Sequence, residues 1–256
     1  MSDLFDLTGK VAIVTGGSRG LGKSFAKAMA SAGANVAIVA RTKEALEATA
    51  GEISKEYGVR VIPVQADVKN QDSVRTMVDT VAKELGGINI LINNAGINIR
   101  KQPEEYEIWE WDEVLSINLR SAFLCSQAVY PFMKAAGGGK IISVGSMATL
   151  FGGNNLAPYA SSKGGIVQLT RSLATSWGKD NIQANSILPG WLNTDLLVTA
   201  MRDNPVLKER ILGRTPLGRC GEPEDLTGIA IFLVSSASNF VTGTAIPLDG
   251  GYSVMI

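Results

Sequence analysis

The sequence predicts an α/β protein whose about seven parallel strands form a doubly wound sheet with helices on both faces. Short apolar, β-branched runs recur along the 256 residues, and longer amphipathic segments separate them. In one such segment the apolar residues have the spacing of a helix buried on one face. They are Val74, Met77, Val78, Val81 and Leu85. This alternation requires crossover helices, which make consecutive strands parallel.

The first six strands are predicted at Val11–Val14, Val36–Val39, Val61–Val64, Ile90–Ile92, Lys140–Val144 and Ile182–Leu188. The ending Gly243–Tyr252 is predicted to supply a final strand and a tail. No linker or repeat divides the chain, so we expect residues 1–256 to form a single domain. The least regular stretch, residues 191–220, is either a lid over a substrate cleft or an ordinary surface connection.

The composition excludes several classes of catalytic and metal site. The chain has no histidine, and its only cysteines are Cys125 and Cys220. Ser-His-Asp and Cys-His nucleophilic systems, histidine-containing metal sites and four-cysteine zinc sites therefore cannot form. We predict no metal site.

The charge balance argues against a polyanionic partner. The 24 basic and 24 acidic residues cancel to a net charge of +0, so no long-range field favours nucleic acid or an anionic membrane. The N-terminus lacks the basic start and apolar run of a signal peptide, and no apolar stretch approaches the roughly 18 residues of a membrane span. We expect a soluble cytoplasmic protein that acts on a small molecule.

A glycine-rich turn follows the first predicted strand directly and precedes the helical run Phe25–Met29. Its glycines let the backbone approach a pyrophosphate, and the helix N-terminus supplies N–H donors. The spacing, Gly-x-x-x-Gly-x-Gly, departs from the common Gly-x-Gly-x-x-Gly fingerprint. The position between strand and helix favours a dinucleotide site over a structural turn. The predicted contacts in it are Gly16, Ser18, Arg19, Gly20, Leu21 and Gly22.

The end of the second strand favours NADP(H) over NAD(H). An NAD site usually has an acidic residue there, which binds the ribose 2′-hydroxyl, whereas this chain has Ala40 and Arg41. A guanidinium can bind a 2′-phosphate with two hydrogen bonds, and Arg19 could approach it from the other side. The alternative is that Arg41 is an ordinary solvated arginine.

Tyr159 and Lys163 can form a proton-transfer site without histidine. A spacing of i, i+4 on a helix places the phenol and the ammonium on one face. Lowering the tyrosine pKa from about 10 to about 7 requires about 4 kcal/mol. Two unit charges about 4 Å apart supply roughly that energy at an effective dielectric near 20. The alternative is structural, with a packed tyrosine and a solvated lysine.

Together these features resemble the short-chain dehydrogenase/reductase family, whose members have a Rossmann-type fold. The resemblance covers essentially the whole chain, because the motifs occur in the family's order and spacing. They are Thr15–Gly22, Asn93–Gly96, Asn118, Ser146, Tyr159-x-x-x-Lys163 and Pro189-Gly190.

The resemblance implies a hydride transfer between the nicotinamide and a secondary alcohol or ketone. Tyr159 would be the general acid/base, and Ser146 would hydrogen-bond the substrate oxygen. Lys163 would lower the pKa of the tyrosine and bind the nicotinamide ribose, while Asn118 would support a proton-relay water. Further cofactor contacts are implied at Asp67, Val68, Asn94, Ala95, Gly96, Pro189, Gly190, Leu192 and Thr194. Family members are commonly tetramers, so we also expect a homotetramer.

Several short strings are similar to the gluconate 5-dehydrogenase and 2-deoxygluconate 3-dehydrogenase branch of the family. They include Thr215–Arg219 and Gly221–Asp225, and they imply a sugar acid or polyol as the substrate. The predicted substrate-pocket residues are Ser146, Met147, Asn155, Tyr159 and Trp191, with Ile97 and Asn154 as further candidates. Arg100 and Lys101 could meet an anionic substrate or could be solvated charges.

Three other functions are open. A 3-oxoacyl-carrier-protein reductase or a general carbonyl reductase would use the same chemistry. The carrier-protein reductases have basic residues where this chain has Ala135–Gly137 and Asp180, which argues against the first. A non-catalytic dinucleotide sensor would not need Asn118, Ser146, Tyr159 and Lys163 together.

Overall fold

The computed structural model describes residues 3–194, 197–198, 201–202 and 205–255. These residues contain a seven-stranded sheet in the order β3-β2-β1-β4-β5-β6-β7. Every neighbouring pair of strands is parallel, which confirms the predicted sheet. The strands are β1 (Val11–Thr15), β2 (Asn35–Ala40), β3 (Val61–Gln65), β4 (Ile90–Asn93), β5 (Gly139–Val144), β6 (Ile182–Pro189) and β7 (Ala245–Leu248).

Helices cover both faces of the sheet. In the described ranges they are α1 (Gly20–Ser31), α2 (Lys43–Tyr57), α3 (Gln71–Leu85), α4 (Ile108–Leu115), α5 (Ser121–Ala135), α6 (Ala157–Trp177), α7 (Pro205–Gly213) and α8 (Leu226–Val234). One core cluster packs α1, α2 and α8 against the sheet. The other packs α3, α5 and α6 against the opposite face. The prediction of helices on both faces is therefore confirmed.

The chain order of the strands reverses at β1, which lies between β2 and β4. Ligands of such sheets bind in the crevice beyond the carboxyl ends of the strands at this point. The glycine-rich turn follows β1, the Asn94–Gly96 turn follows β4, and Ser146 follows β5. The topology thus brings the predicted cofactor and catalytic segments to one edge.

The predicted lid, residues 191–220, leaves this same edge after β6. Its positions 195–196, 199–200 and 203–204 lie outside the described residues. The segment contains α7, and its two ends are joined because Gly221 N donates to Trp191 O (2.9 Å) and Asn193 N donates to Gly221 O (2.7 Å). Leu197, Ile211 and Cys220 form a small buried cluster inside it.

Within the ranges that the structure covers, every helix is too short or too polar to cross a membrane. The described cysteine, aspartate and glutamate side chains likewise form no group of three that could hold a metal ion. Both cysteines are buried and unbridged.

Candidate active site

Three predicted catalytic side chains meet at the start of α6. Tyr159 lies in the first turn of α6, which has a proline at its N-terminus, and Lys163 follows one turn later. The Lys163 ammonium is 5.7 Å from the centroid of the Tyr159 ring. Ser146 comes from the loop after β5, and its hydroxyl acts on the phenol to lower the pKa of Tyr159.

The Ser146 side chain has a fixed orientation. Ser146 is the N-cap of the short 3-10 turn Met147–Thr149, and its hydroxyl oxygen accepts a hydrogen bond from Ala148 N at 3.1 Å. This contact uses one lone pair, so the hydroxyl proton remains available to a nearby oxygen.

Lys163 is buried, with 5% of its surface exposed. Its ammonium donates to Val144 O at 2.7 Å, and burial lowers the pKa of Lys163 to about 8. An ammonium has three donors. Two of them are free of this contact and can serve oxygen atoms in the crevice.

Burial raises the pKa of Tyr159, while hydrogen bonding to Ser146 and the positive charge of Arg100 act in the opposite direction. A lowering of this pKa by Lys163 stays a prediction, and in the chain by itself the net shift is upward. The physical reason is desolvation, which disfavours the charged phenolate and also lowers the pKa of the neighbouring lysine. The phenol is protonated at neutral pH.

Asn118 lies in a π-helical turn, Ser116–Arg120, between α4 and α5; such turns occur frequently at functional sites. Its amide nitrogen donates to Ile97 O and to Ser162 Oγ, both at 3.0 Å. Its amide oxygen accepts from Ile97 N at 2.8 Å. The side chain therefore fixes the turn after β4 beside the catalytic helix.

Gly96 lies between Asn118 and Lys163. A Cβ atom at this position would be 3.3 Å from Asn118 Oδ1 and 3.6 Å from Lys163 Nζ. The absence of a side chain at residue 96 therefore leaves room for the amide and the ammonium beside the backbone of the turn.

The glycine-rich turn has the close packing that a pyrophosphate cradle requires. Gly16 and Gly20 have φ angles of 67° and 52°, a region that favours glycine. A Cβ on Gly22 would lie 2.0 Å from Gly16 O. The N-cap residue of α1, Arg19, makes no side-chain capping bond, and the first turn has no acidic residue. The first N–H groups of α1 are thus available to an anion.

Thr15 joins this turn to the turn after β4. Its hydroxyl oxygen accepts from Asn94 N at 3.0 Å and from Ala95 N at 3.1 Å. In return, the Asn94 amide donates to Thr15 O at 3.0 Å. The sequence analysis did not assign this role to Thr15, although its position at the end of β1 makes it a candidate.

The two arginines predicted at the 2′-phosphate are both exposed. In the described part of the chain, neither guanidinium has a hydrogen-bond or ion-pair partner. The backbone of Arg41 is held by Gln65, whose amide donates to Arg41 O at 2.8 Å. Asp67, near the adjacent strand end, accepts from Lys69 N at 3.0 Å and so shapes the turn that continues through Val68.

The segment predicted at the nicotinamide has a fixed main chain. Pro189 ends β6, and Gly190 N donates to Leu248 O at 2.9 Å. A Cβ on Gly190 would lie 2.7 Å from Asp249 Cβ. Leu192 is buried and bridges to Gly221, while Thr194 N donates to Leu192 O at 2.7 Å.

The predicted substrate residues fall into different environments. Met147 is buried in a small cluster with Val167 and Leu188, so its side chain supports the wall of the site. Asn155 has a positive φ of 62° and a buried amide oxygen without a partner among the described residues. The backbone carbonyl oxygen of Asn155 accepts a hydrogen bond from the Tyr106 hydroxyl at 3.2 Å.

The two predicted cations after β4 differ in their surroundings. Lys101 forms an ion pair with the buried Glu110 at 2.7 Å. Arg100 is exposed and has no hydrogen-bond or ion-pair partner in the parts of the chain that are described. Its positive charge nevertheless acts on Tyr159, where it favours a lower pKa of the phenol. Lys101 is therefore structural, whereas Arg100 is free to meet a ligand.

A third cation, Arg214, was missed by the sequence analysis. Its guanidinium lies between the rings of Phe151 and Tyr252. The Tyr252 ring also packs edge to face against the predicted pocket residue Trp191, with a centroid distance of 6.3 Å. Nothing in the local sequence around Arg214 indicates these contacts, because both rings come from distant segments.

The parallel sheet, the glycine-lined crevice and the tyrosine, lysine and serine cluster define a dinucleotide-dependent oxidoreductase. The family model described as "Enoyl-(Acyl carrier protein) reductase" matches residues 16–253. Gluconate 5-dehydrogenase of Gluconobacter oxydans (strain 621H) is 38% identical over 254 residues, which cover 99% of this chain and 98% of the relative.

A second relative, 2-dehydro-3-deoxy-D-gluconate 5-dehydrogenase of Escherichia coli (strain K12), is 39% identical over 97% of each chain. The crystal structure of a gluconate 5-dehydrogenase from Burkholderia cenocepacia J2315 in complex with NADP and tartrate has a TM-score of 0.94, 36% identity and 99% coverage of both chains. The chain belongs to the short-chain dehydrogenase/reductase family and is an oxidoreductase that acts on CH–OH or C=O groups.

Proposed function

We propose that the protein transfers a hydride between NADP(H) and a secondary alcohol or ketone of a sugar acid. The observation that carries the choice of substrate is Arg100, a free cation whose charge reaches the phenol of Tyr159. A guanidinium binds a carboxylate with two charge-assisted hydrogen bonds. An acid held by Arg100 would have its carbinol or carbonyl carbon within reach of Tyr159.

The crevice fits a dinucleotide, and its adenosine end favours NADP(H). The glycines leave room for a pyrophosphate. Arg41 is an exposed cation directly after β2, and Arg19 is an exposed cation in the glycine-rich turn. No acidic residue stands there to repel a phosphate. The similar Burkholderia enzyme is in complex with NADP, which supports the same choice.

In reduction, Tyr159 donates its phenolic proton to the substrate oxygen, and Ser146 donates a hydrogen bond to the same oxygen. The bound cofactor supplies or accepts the hydride. Lys163 uses its free N–H donors to hold ribose hydroxyls, and Asn118 keeps the turn beside it in place. In oxidation, the Tyr159 phenol first releases its own proton to solvent, and the phenolate then accepts the proton of the alcohol. Because burial raises the pKa of Tyr159, the phenol is already in the form that reduction requires.

We also propose that residues 191–220 act as a lid over the substrate.

We propose, in addition, that the protein is a homotetramer. An apolar groove lies between the α4–α5 region and α6, and it includes Leu115, Leu119, Phe123 and Leu169. Phe123 is 43% exposed there. A second copy packed on this groove would cover that apolar surface.

The carrier-protein alternative is weakened by the surface around Asp180. A basic patch would suit an acidic carrier protein, but Asp180 forms an ion pair with Lys134 at 3.1 Å and accepts from the Tyr130 hydroxyl at 2.7 Å. The charge of Lys134 is thereby offset. The non-catalytic alternative is weakened by the assembly of Asn118, Ser146, Tyr159 and Lys163 at the crevice.

The proposal is tested by following the absorbance of NADPH with a panel of carbonyl compounds. The panel contains keto sugar acids, neutral ketoses of the same carbon number, an acetoacetyl thioester and simple ketones. We expect kcat/KM for a keto sugar acid to exceed that for its neutral counterpart by about tenfold or more, as one charge-assisted contact provides. Preference for the thioester, or no turnover despite NADPH binding, would contradict the proposal.

A further inference from the structure

We propose that Arg214 is a specificity-determining residue that donates hydrogen bonds to the hydroxyl oxygens of the substrate chain. This inference rests on the proposed function, in which Arg100 binds the single carboxylate of a sugar acid. The remaining oxygens of such a substrate are hydroxyls. The five N–H donors of a guanidinium lie in one plane and can bind several of them at once.

The guanidinium of Arg214 is held in place by two aromatic rings. Its central carbon is 4.9 Å from the Phe151 ring centroid and 4.7 Å from the Tyr252 ring centroid. A cation–π contact attracts the guanidinium to the ring without using its N–H groups as hydrogen-bond donors. The side chain is thus oriented without the use of its hydrogen-bond donors.

The donors of Arg214 lack acceptors in the described structure. Its Nε is buried and has no hydrogen-bond partner there. None of the described carboxylates forms an ion pair with it, in contrast to Arg219, which binds Asp225 at 2.6 Å. A buried charged donor without an acceptor is costly. The oxygen atom of a bound ligand would supply the acceptor that this donor lacks.

The two rings and Trp191 belong to segments at the carboxyl edge of the sheet, the edge that also carries Ser146. Phe151 follows the turn that begins at Ser146, and Tyr252 follows β7. Trp191, which contacts the Tyr252 ring, follows β6. The segments after β5, β6 and β7 are adjacent, because these strands are neighbours in the sheet.

The tail that carries Tyr252 is hydrogen-bonded to the segment 191–220. Leu217 N donates to Gly250 O at 3.2 Å. The Asp249 carboxylate accepts from Gly251 N at 2.9 Å and from Ser253 N at 2.7 Å, which fixes the turn around Tyr252. The ring position, and with it the guanidinium position, is therefore set by the fold.

The test measures inhibition constants of two six-carbon anions, gluconate and hexanoate, on the intact enzyme with NADPH. Both have one carboxylate, and only gluconate has hydroxyls. The reporter reaction is the reduction of the carbonyl compound that the wild-type enzyme reduces best. In Arg214→Gln the inhibition constant of gluconate should rise by about tenfold or more, whereas that of hexanoate should change by less than about twofold. In Arg100→Gln both constants should rise.

Three further variants separate binding from structure. Arg210→Gln removes an exposed cation at the end of α7 and should leave both constants unchanged. Tyr252→Phe keeps the aromatic ring, so both inhibition constants should equal those of the wild type. Tyr252→Ala removes the ring and should raise the inhibition constant of gluconate but not that of hexanoate. NADPH affinity and the melting temperature of each variant show whether it has folded.

The inference is overturned if gluconate inhibits Arg214→Gln and the wild-type enzyme equally, or if the hexanoate constant rises in parallel with the gluconate constant. Those results would leave the proposed function intact. Failure of gluconate to bind the wild-type enzyme, together with no turnover of any keto sugar acid, would instead contradict the proposed function itself.

Discussion

At the scale of single residues, Gly22 has the strictest steric requirement in the cofactor cradle. A Cβ there would lie 2.0 Å from Gly16 O and 2.6 Å from Asn94 Nδ2. Gly22→Ala should therefore displace the turn and weaken NADPH binding by about tenfold or more, measured by fluorescence titration. Gly51→Ala is the control, because its site in α2 is open. It should keep the affinity and raise stability by up to about 1 kcal/mol.

Arg41 tests the choice of cofactor. Arg41→Ala should weaken NADPH binding by about tenfold or more while NADH binding changes by less than about twofold, since only NADPH has the 2′-phosphate. Titration of both cofactors measures this. Lys55→Ala removes an exposed charge at the far end of α2. It should change neither NADPH binding nor NADH binding. An equal loss for both cofactors in Arg41→Ala would refute its role.

Sequence could locate Tyr159, Lys163 and Ser146, because helical spacing and strand ends determine which residues share an edge of the sheet. It could not give the direction of the Tyr159 pKa shift. That direction depends on how deeply the phenol is buried, which is a property of tertiary packing. The aromatic stack on Arg214 was unpredictable for the same reason.

At the scale of elements, Lys140 places a buried amine at the start of β5. Its ammonium donates to the neutral acceptors Ser238 Oγ (3.3 Å) and Asn239 Oδ1 (3.0 Å). Burial lowers the pKa of Lys140 to about 8, whereas an unfolded lysine titrates near about 10.4. Between these values the unfolded chain binds more protons, so the free energy of unfolding rises with pH in this window.

The wild-type protein should therefore gain stability relative to Lys140→Met as the pH is raised from about 7 to about 10. Urea denaturation of both proteins across this range measures the difference, and the contribution of Lys163, present in both, cancels. If the difference in unfolding free energy between the two proteins is the same at every pH, burial does not lower the Lys140 pKa.

The helices and strands could be predicted from the spacing of the apolar residues. The features that depart from this pattern have physical reasons. The predicted apolar face of α3 is buried at Val74, Met77, Val78 and Val81. Pro63, within β3, is tolerated because β3 is an edge strand. The π-helical turn Ser116–Arg120 was not predicted, since neither glycine nor proline interrupts the helical pattern there.

At the scale of the whole molecule, the apolar groove beside α5 predicts self-association. We expect the wild-type protein to sediment as a tetramer at micromolar concentration. Phe123→Asp should shift it to smaller species, because a charge in an apolar interface is costly. Val206→Asp, at an exposed position of α7 outside this groove, is the control. A wild-type monomer would refute the proposed tetramer.

The central claim is that Tyr159 transfers the proton in an NADP(H)-dependent hydride transfer. Its most direct test is a single-turnover measurement of NADPH oxidation by a keto sugar acid, with wild-type protein and Tyr159→Phe compared at saturating NADPH. We expect the rate of Tyr159→Phe to be about 10²–10⁴-fold lower, while the NADPH dissociation constant changes by less than about twofold. A Tyr159→Phe rate within a few-fold of the wild-type rate would contradict it.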